Sequence, residues 1–285
     1  MSATSRSLQP VRRFVRTPKG LLTVVLAILT VVAAPVEGMR LVAPMLVAAT
    51  GTAMATDAVI MRVGDGAWTF PDGGMLTGWI VALILSPHER WWVGVATSAI
   101  AIIAKHAVRG KSANVFNPAA IGLVAVYYLF DAAQSWWGAL SDAPLAMVAV
   151  LVATGAFIAD RVNKVPVVIA FLGVYFALAT AGAYTGAADT VAELYRAPDL
   201  HAALFFAFFM VTDPPTSPPR HRDQLVYGAI TAGCAYAVFR GLGAVHFLLS
   251  GLLVANVWEA WRRRAQRRAR QAARGSVGQP EIAEA

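Results

Sequence analysis

Ten apolar segments, separated by short polar or proline-containing loops, occupy most of the chain between residues 21 and 258. Of the 285 residues, 58% are hydrophobic and only 14% are charged, whereas a soluble domain carries roughly 25% charged residues. Backbone inside lipid must satisfy its hydrogen bonds within the protein, and an α-helix does this within one segment. The sequence therefore predicts an all-α integral membrane protein with about ten transmembrane helices.

The third and eighth apolar segments are the shortest. The predicted segments are Leu21–Pro35, Leu41–Met61, Met75–Leu85, Trp91–Ala104, Val115–Phe130, Leu145–Ala159, Val165–Tyr184, His201–Thr212, Leu225–Phe239 and Leu242–Trp258. The two short segments end at Ser86–Pro87 and at Asp213–Pro214–Pro215, and a charged loop follows each. Each short segment is the third in its set of five, so we predict two five-helix repeats. Because five is an odd number of spans, the second repeat would be inverted in the membrane relative to the first. The alternative is that both are buried core helices without a special role.

Basic residues are concentrated in the two ends of the chain. Residues 1–19 hold five of the 24 Lys and Arg residues, and residues 262–274 hold seven. The loops after the fourth, sixth and eighth segments are also basic, whereas residues 131–143 contain two acids and no Lys or Arg. The positive-inside rule then predicts that both termini lie in the cytoplasm. Next to membrane spans, such tails are expected to face anionic lipid rather than nucleic acid.

These patterns divide the chain into five predicted parts. They are a basic cytoplasmic tail at 1–19, a first five-helix repeat at 20–131, an outer loop at 132–143, a second repeat at 144–260 and an Arg-rich cytoplasmic tail at 261–285. Cys234 is the one cysteine, and no histidines stand at metal-ligand spacing, so no disulfide or metal site is predicted. The sequence lacks Walker and Rossmann glycine patterns, which argues against a cytosolic catalytic domain on this chain.

Polar residues in or beside the apolar segments are candidates for a site at membrane depth. Asp57 lies in the second segment and is a candidate for an ion pathway. Its alternative is a place near the cytoplasmic interface with Arg62 as partner. Asp213 is expected either to coordinate a cation or to cap a turn. Further residues that could line the same cavity, where half-helix ends offer partial charges, are Thr77, Asn114, Asn117 and Thr212.

A polar stretch leads into the fifth segment. Residues 105–122 read K-H-A-V-R-G-K-S-A-N-V-F-N-P-A-A-I-G. Asn117–Pro118 is a common helix start, which is one explanation of the pattern. Polar backbone at membrane depth is otherwise tolerated only where it is buried in protein or lines a cavity. Asn114, Asn117 and Pro118 are therefore candidate site residues.

The predicted outer loop contains the pairs Trp136–Trp137 and Ser141–Asp142. Paired tryptophans are typical of the interfacial belt of membrane proteins. The alternative is that they stack against the ring of a bound flavin. Trp137, Ser141 and Asp142 are accordingly candidate cofactor-binding residues.

Several motifs together resemble a known family. They are D-G-G-M-L-T-G at 72–78, the Ser86–Pro87 turn, Lys105–His106, N-V-F-N-P-A-A-I-G at 114–122 and F-F-M-V-T-D-P-P-T-S-P at 208–218. Over about residues 40–260 the chain resembles the D subunit of Rnf-type electron-transport complexes and the B subunit of sodium-pumping NADH:quinone oxidoreductases. The resemblance implies a bacterial inner-membrane protein with ten membrane helices in two inverted five-helix repeats. It also implies a flavin-carrying or non-catalytic subunit that passes electrons, contacts other membrane redox subunits, and belongs to a complex coupled to Na⁺ or H⁺ movement.

The resemblance further implies an FMN attached to a threonine in an S-G-A-T-P-L-like motif after the fifth helix. The matching residues here are Ser141-Asp142-Ala143-Pro144-Leu145, without a threonine. Any FMN or other flavin is therefore expected to bind non-covalently. Two alternatives remain: a small-solute or ion channel or transporter of the same fold without a redox role, and an anchor for redox partners.

Overall fold

The computed structural model describes residues 14–66, 68–108, 114–144 and 146–277. Within these ranges, ten helices longer than ten residues form a bundle, and no β-sheet is present. The helices are α1 (Pro18–Glu37), α2 (Met39–Asp65), α3 (Asp72–Ile84), α4 (Trp91–Ala107), α5 (Pro118–Phe130), α6 (Ala146–Arg161), α7 (Val165–Gly182), α8 (Asp199–Phe209), α9 (His221–Leu242) and α10 (Phe247–Val277). Short helical turns at 137–139 and 183–195 complete the secondary structure. The all-α prediction is confirmed, with one described helix for each predicted segment.

Four of these helices, α1, α2, α7 and α9, are long and apolar enough to cross a membrane. Helices α3, α5 and α8 are also apolar but shorter. The chain is therefore a multi-pass membrane protein. The predicted tail at 1–19 lies mostly outside the described residues, as do Arg109 and Lys111 of the basic loop. Helix α10 continues through the first part of the predicted tail from 261 and runs on to Val277. Its Ala, Arg and Gln residues are strong helix formers, which explains the continuation.

Helix α3 can end inside the protein because the segment after α5 satisfies its terminal backbone groups. The amides of Ser135 and Trp136 donate to the carbonyl of Ile84 at 3.0 and 3.1 Å, and the amide of Ser86 donates to Ala133 at 3.0 Å. The last carbonyls of a helix lack partners within it, so a short helix buried in protein needs such donors.

Helix α8 ends in a different way. Its last turn leads into the proline-rich turn 210–220, whose carbonyls face buried cations rather than a neighbouring backbone. The ammonium of Lys164 donates to the carbonyl of Pro218 at 2.6 Å, and the Arg263 guanidinium donates to Pro215 at 2.9 Å and Ser217 at 3.0 Å. The two short helices therefore share a position in the chain but not the chemistry of their ends.

Helix contacts recur between the two halves of the chain. Helix α2 packs closely on α4, and α4 on α5; likewise α7 packs closely on α9, and α9 on α10. A spacing of Gly, Thr and Ala recurs with them, at Gly94, Thr97 and Ala101 in α4 and at Gly228, Thr231 and Ala235 in α9. Each threonine hydroxyl donates to the carbonyl four residues earlier, at 2.7 Å in α4 and 2.8 Å in α9.

Two glycines allow the last helix of each half to approach its neighbour closely. A Cβ at Gly122 of α5 would lie 2.5 Å from the carbonyl oxygen of Thr97, and a Cβ at Gly251 of α10 would lie 2.5 Å from that of Thr231. Real Cβ atoms do not approach backbone this closely, so a side chain here would force the helices apart. Small residues at such crossings are a usual means of packing helices in membranes.

We expect Gly122→Ala and Gly251→Ala each to lower stability, by roughly 1–3 kcal/mol, through overpacking. The matched control is Gly173→Ala in α7, where an added Cβ meets nothing within 4 Å. This control is expected to be neutral or slightly stabilising because alanine is the better helix former. Thermal denaturation of the three variants in detergent provides the comparison. Equal midpoints for all three would show that the close helix crossings do not need glycine.

Candidate functional site

A buried ion cluster lies where α4 ends and α5 begins, an end of the bundle that we call the charged face. Asp57 of α2 is 1% exposed. Its two carboxylate oxygens each accept a hydrogen bond from the Lys105 ammonium at 2.9 Å, and Nε2 of His106 lies 2.6 Å from Oδ1. An ionised carboxylate at this depth requires such partners, since desolvation would otherwise be very costly.

Two glycines at the start of α3 make room for this cluster. A Cβ at Gly73 would lie 3.1 Å from the Lys105 ammonium nitrogen, and a Cβ at Gly74 would lie 2.8 Å from the Cβ of Asp57. The alternative in which Asp57 pairs with Arg62 is wrong. The Arg62 guanidinium instead donates to the carbonyl of Gly66 and lies over the ring of Trp68, 5.9 Å from its centroid.

The turn after α8 contributes a second set of charges on the same face. The Thr216 hydroxyl donates to Asp213 Oδ2 at 2.8 Å, so Asp213 organises its turn through its side chain. The charges of Lys164, Lys105 and Arg263 all act on this carboxylate, which places it near the Asp57 cluster. Burial and the nearby Arg263 lower the pKa of Lys164 to about 8. This lysine therefore loses its proton well below the pH at which an exposed lysine does.

Helix α10 supplies the counter-charges for this turn. Glu259 is 1% exposed and accepts hydrogen bonds from Arg262 at 2.7 Å and Arg263 at 2.6 Å. Arg262 also pairs with Asp223 at the start of α9. The first residues of the Arg-rich segment are thus internal structural partners, whereas Arg264, Arg268 and Arg270 are exposed.

A hydrogen-bonded chain leads from the Asn-Pro motif towards the Thr-Asp-Pro motif. The backbone amide of Asn117 donates to Asn256 Oδ1 at 2.8 Å, and Asn256 Nδ2 donates to the Tyr227 hydroxyl at 2.5 Å. The Tyr227 hydroxyl in turn contacts Thr216, which holds Asp213. Sequence reasoning missed Asn256, Tyr227 and Glu259. The signal for two of them was an amide and a carboxylate in or beside the apolar segment Leu242–Trp258.

The remaining candidates on the charged face have local roles or lie at its edge. Asn117 caps α5 by accepting a hydrogen bond from the Ala120 amide at 3.1 Å, and Pro118 is the first residue of that helix. The Thr77 hydroxyl donates to a carbonyl of its own helix at 2.8 Å, and the Thr212 hydroxyl, just past the end of α8, donates to the carbonyl of Phe208 at 2.5 Å. Asn114 is half-buried beside the undescribed residues 109–113. The structure therefore brings Asp57, Asn117 and Asp213 to one face.

The tryptophan pair lies at the opposite end of the bundle, after α5. An interfacial belt would leave these rings exposed, but Trp136 is 6% and Trp137 is 2% exposed, so the belt interpretation is wrong. The Trp137 indole nitrogen donates to the carbonyl of Ala82 at 2.6 Å and so fixes the end of α3. Trp136 packs edge-on against Phe205 and Phe206 of α8. Both rings are buried because the loop folds back over the end of α3.

A cavity of about 490 Å³ opens at this end, which we call the cavity face. Its walls come from three separate segments: the loop after α5, the start of α8, and the turn between α9 and α10. The lining residues are Gln134, Ser135, Trp136, Ser141, Asp142, Ala197, Pro198, Asp199, Ala202, Phe239, Gly243, Ala244, Val245, Phe247 and Leu248. Ser141 and Asp142 line this cavity, and Trp136 lines it whereas Trp137 does not.

Polar atoms in the cavity wall are left without protein partners. Ser141 Oγ and Gln134 Oε1 are buried and form no hydrogen bond with any described residue. Buried polar atoms are normally hydrogen-bonded, so an orphaned pair in a cavity wall marks a place for a ligand or water. The lining includes the carboxylates of Asp142 and Asp199 but no described Lys, Arg or His. The cavity thus combines aromatic walls, free acceptors and negative charge.

Comparison with known proteins gives a family match and several relatives. The model of the NQR2, RnfD, RnfE family matches residues 10–148 and 143–257. The chain is 42% identical over 64 residues to the D subunit of the ion-translocating oxidoreductase complex of Rhodobacter capsulatus, covering 22% of this chain and 18% of that protein. It is 34% identical over 102 residues to the same-named subunit of Sodalis glossinidius, covering 32% of this chain and 28% of the relative.

A third relative carries a more specific name. The chain is 35% identical over 91 residues to the D subunit of the proton-translocating ferredoxin:NAD(+) oxidoreductase complex of Clostridium ljungdahlii, covering 31% of this chain and 28% of the relative. In all three cases the aligned region spans less than a third of the relative's length. The family model, in contrast, matches nearly the whole helical bundle. This chain belongs to the NQR2, RnfD, RnfE family.

Proposed function

We propose that this chain is a membrane electron-transport subunit of an ion-translocating oxidoreductase complex, and that it binds a flavin non-covalently in the cavity. Family membership supports the first part, since relatives are named as the D subunit of such complexes. The observation that carries the second part is the cavity itself, with its aromatic walls and unpartnered acceptors. Its volume of about 490 Å³ is within the usual range for sites that bind small molecules.

The residues present fit a flavin. The flat ring would pack against Trp136, Phe239 or Phe247, since aromatic rings favour such contacts. Gln134 Oε1 and Ser141 Oγ would accept hydrogen bonds from the ring N–H and from hydroxyls of the ribityl chain. When bound, the flavin supplies the ability to accept and pass on electrons. The cavity walls would position the ring.

The charge of the cavity selects among flavins. Phosphate groups in proteins are bound by Arg, Lys or backbone N–H groups, and none of the described lining side chains is a cation. Asp142 and Asp199 would repel a phosphate, and Glu193 adds to the negative charge around Asp199. We therefore expect the bound flavin to carry no phosphate inside the cavity. This expectation agrees with the missing threonine, the residue to which a phosphate-linked flavin would be attached.

The proposal includes an inverted arrangement of two five-helix halves with both termini in the cytoplasm. The recurring helix contacts and the matching Gly, Thr and Ala positions in α4 and α9 support the repeat. The charged face carries Lys105, Lys164 and the arginines of α10, which supports its assignment to the cytoplasmic side. Other membrane redox subunits would then deliver and remove electrons.

Asp57 and its partners are proposed to lie on the path of a coupled Na⁺ or H⁺. A carboxylate buried among α2, α3 and α4 and joined to a histidine supports this role. The same cluster, with the polar chain from Asn117 to Asp213, also favours the second candidate function, an ion or solute transporter of this fold without a redox role.

A flavin assay separates these functions. The protein is co-expressed with its gene neighbours, purified in mild detergent, and measured for absorbance near 450 nm before and after acid precipitation. We expect a yellow protein whose flavin appears in the supernatant, with the mass of a phosphate-free flavin. FMN in the supernatant would contradict the charge argument, and flavin in the pellet would contradict non-covalent binding. A colourless protein would favour the transporter, which a cation flux assay in liposomes then tests.

A further inference from the structure

An apolar groove runs along the outside of α2, away from both the cavity and the ion cluster. Its volume is about 540 Å³, and its lining is Arg40, Ala43, Pro44, Val47, Ala48 and Trp91. The α2 residues follow a spacing of three and four, so they form a single face of that helix. Trp91, at the start of α4, forms the other wall.

Arg40 is the one charged residue that lines the groove. Arg40 is exposed, and no described carboxylate lies within ion-pair distance of it. Arg40 therefore brings a guanidinium donor without a described carboxylate partner to the edge of the groove.

The position of these groups matches the layers of a bilayer. Arg40 and Trp91 are the second and first residues of their helices, and Trp91 is 60% exposed, as is typical of a tryptophan at the membrane surface. From Arg40 to Ala48 the helix descends about 12 Å towards the hydrocarbon layer. Along this path Val47 is 71% exposed, so the described part of the chain leaves the groove open to lipid.

We propose that this groove binds one anionic phospholipid. Its acyl chain lies against Ala43, Val47 and Ala48, and its phosphate accepts hydrogen bonds from Arg40. Phosphatidylglycerol, which carries a net negative charge, therefore suits the site better than phosphatidylcholine, which carries none. Guanidinium–phosphate pairing is the strongest form of such recognition.

Native mass spectrometry of the detergent-purified chain, titrated with phosphatidylglycerol or with phosphatidylcholine of the same acyl chains, tests the proposal. We expect one phosphatidylglycerol to be retained in preference to phosphatidylcholine. Arg40→Gln should weaken its binding about tenfold through loss of a charge-assisted hydrogen bond. Ala48→Phe, which fills the groove, should weaken binding of both lipids.

Two control variants keep the test specific. Arg240→Gln removes a cation from the end of α9, and Val59→Phe adds the same bulk to another exposed part of α2; Val59 is 55% exposed. Neither should change the retained lipid. Equal lipid retention by Arg40→Gln, Ala48→Phe and the wild type would overturn the proposal. It would also be overturned if a photoreactive residue at position 47 were crosslinked in native membranes to another protein chain rather than to lipid.

Discussion

Ala244→Trp is expected to deplete the purified protein of flavin, with at least about a tenfold loss of 450 nm absorbance per protein, because an indole overfills the cavity. Ala244 lies in the turn between α9 and α10 and lines the cavity while remaining half-buried. A larger side chain there enters the cavity rather than the packed core, so the bundle should still fold. Flavin content is measured by absorbance and by mass after acid release.

The matched control for this variant is Ala133→Trp. Ala133 is exposed on the loop after α5 and does not line the cavity, so the same added bulk should leave the flavin in place. Ser141→Ala adds a chemical test, since it removes one of the two orphaned polar atoms without filling space. It should weaken flavin binding by about tenfold if its hydroxyl is a ligand contact. Full flavin content in the Ala244→Trp protein would show that the flavin binds outside this cavity.

Asp57→Leu is expected to destabilise the protein by about 3–5 kcal/mol, because it leaves Lys105 and His106 without their shared carboxylate. Lys105 contributes two hydrogen bonds of 2.9 Å to Asp57, and its side chain is only 19% exposed. Taking a cation out of water without a counter-charge accounts for most of this cost. Denaturation in detergent, followed by intrinsic tryptophan fluorescence, measures the loss.

The double variant Asp57→Leu with Lys105→Met is expected to be more stable than the single variant. An ion pair replaced as a whole by apolar side chains leaves no unpaired charge, whereas half a pair does. The matched surface pair is Lys19–Asp72, whose side chains are 54% and 32% exposed. Asp72→Ala should therefore cost no more than about 1 kcal/mol. If Asp57→Leu cost as little as Asp72→Ala, the buried cluster would not be a structural ion pair.

The double variant also separates structure from transport. Because it is expected to fold, loss of Na⁺- or H⁺-coupled activity in proteoliposomes would assign the carboxylate to the ion path. Retention of that activity would restrict Asp57 to a structural role. The single variant alone could not distinguish these outcomes, since an unstable protein also loses activity.

The helices of this protein could be predicted from its sequence because their signals are local. Each apolar segment must form its own hydrogen bonds in lipid, so the segments map onto helices one by one. The start of α5 could also be predicted, since Asn117 supplies its cap and Pro118 its first residue within a single turn. The ends of helices were harder to predict. Helix α10 continues past the predicted boundary at 260 because the residues there have high helix propensity although they are not hydrophobic.

Partners and burial depended on the tertiary structure. Asp57 pairs with residues 48 and 49 positions away, and Asn117 binds Asn256 across 139 positions, distances at which no sequence pattern indicates a contact. The burial of Trp136, and the cavity that it lines, arise only when three distant segments meet at one end of the bundle. By itself, the sequence determined which segments become helices and which residues carry charge, because both follow from each segment's own exchange of water for lipid. The packing of those helices decided which polar atoms are paired and which face a cavity, because those contacts join parts of the chain that have no local relation.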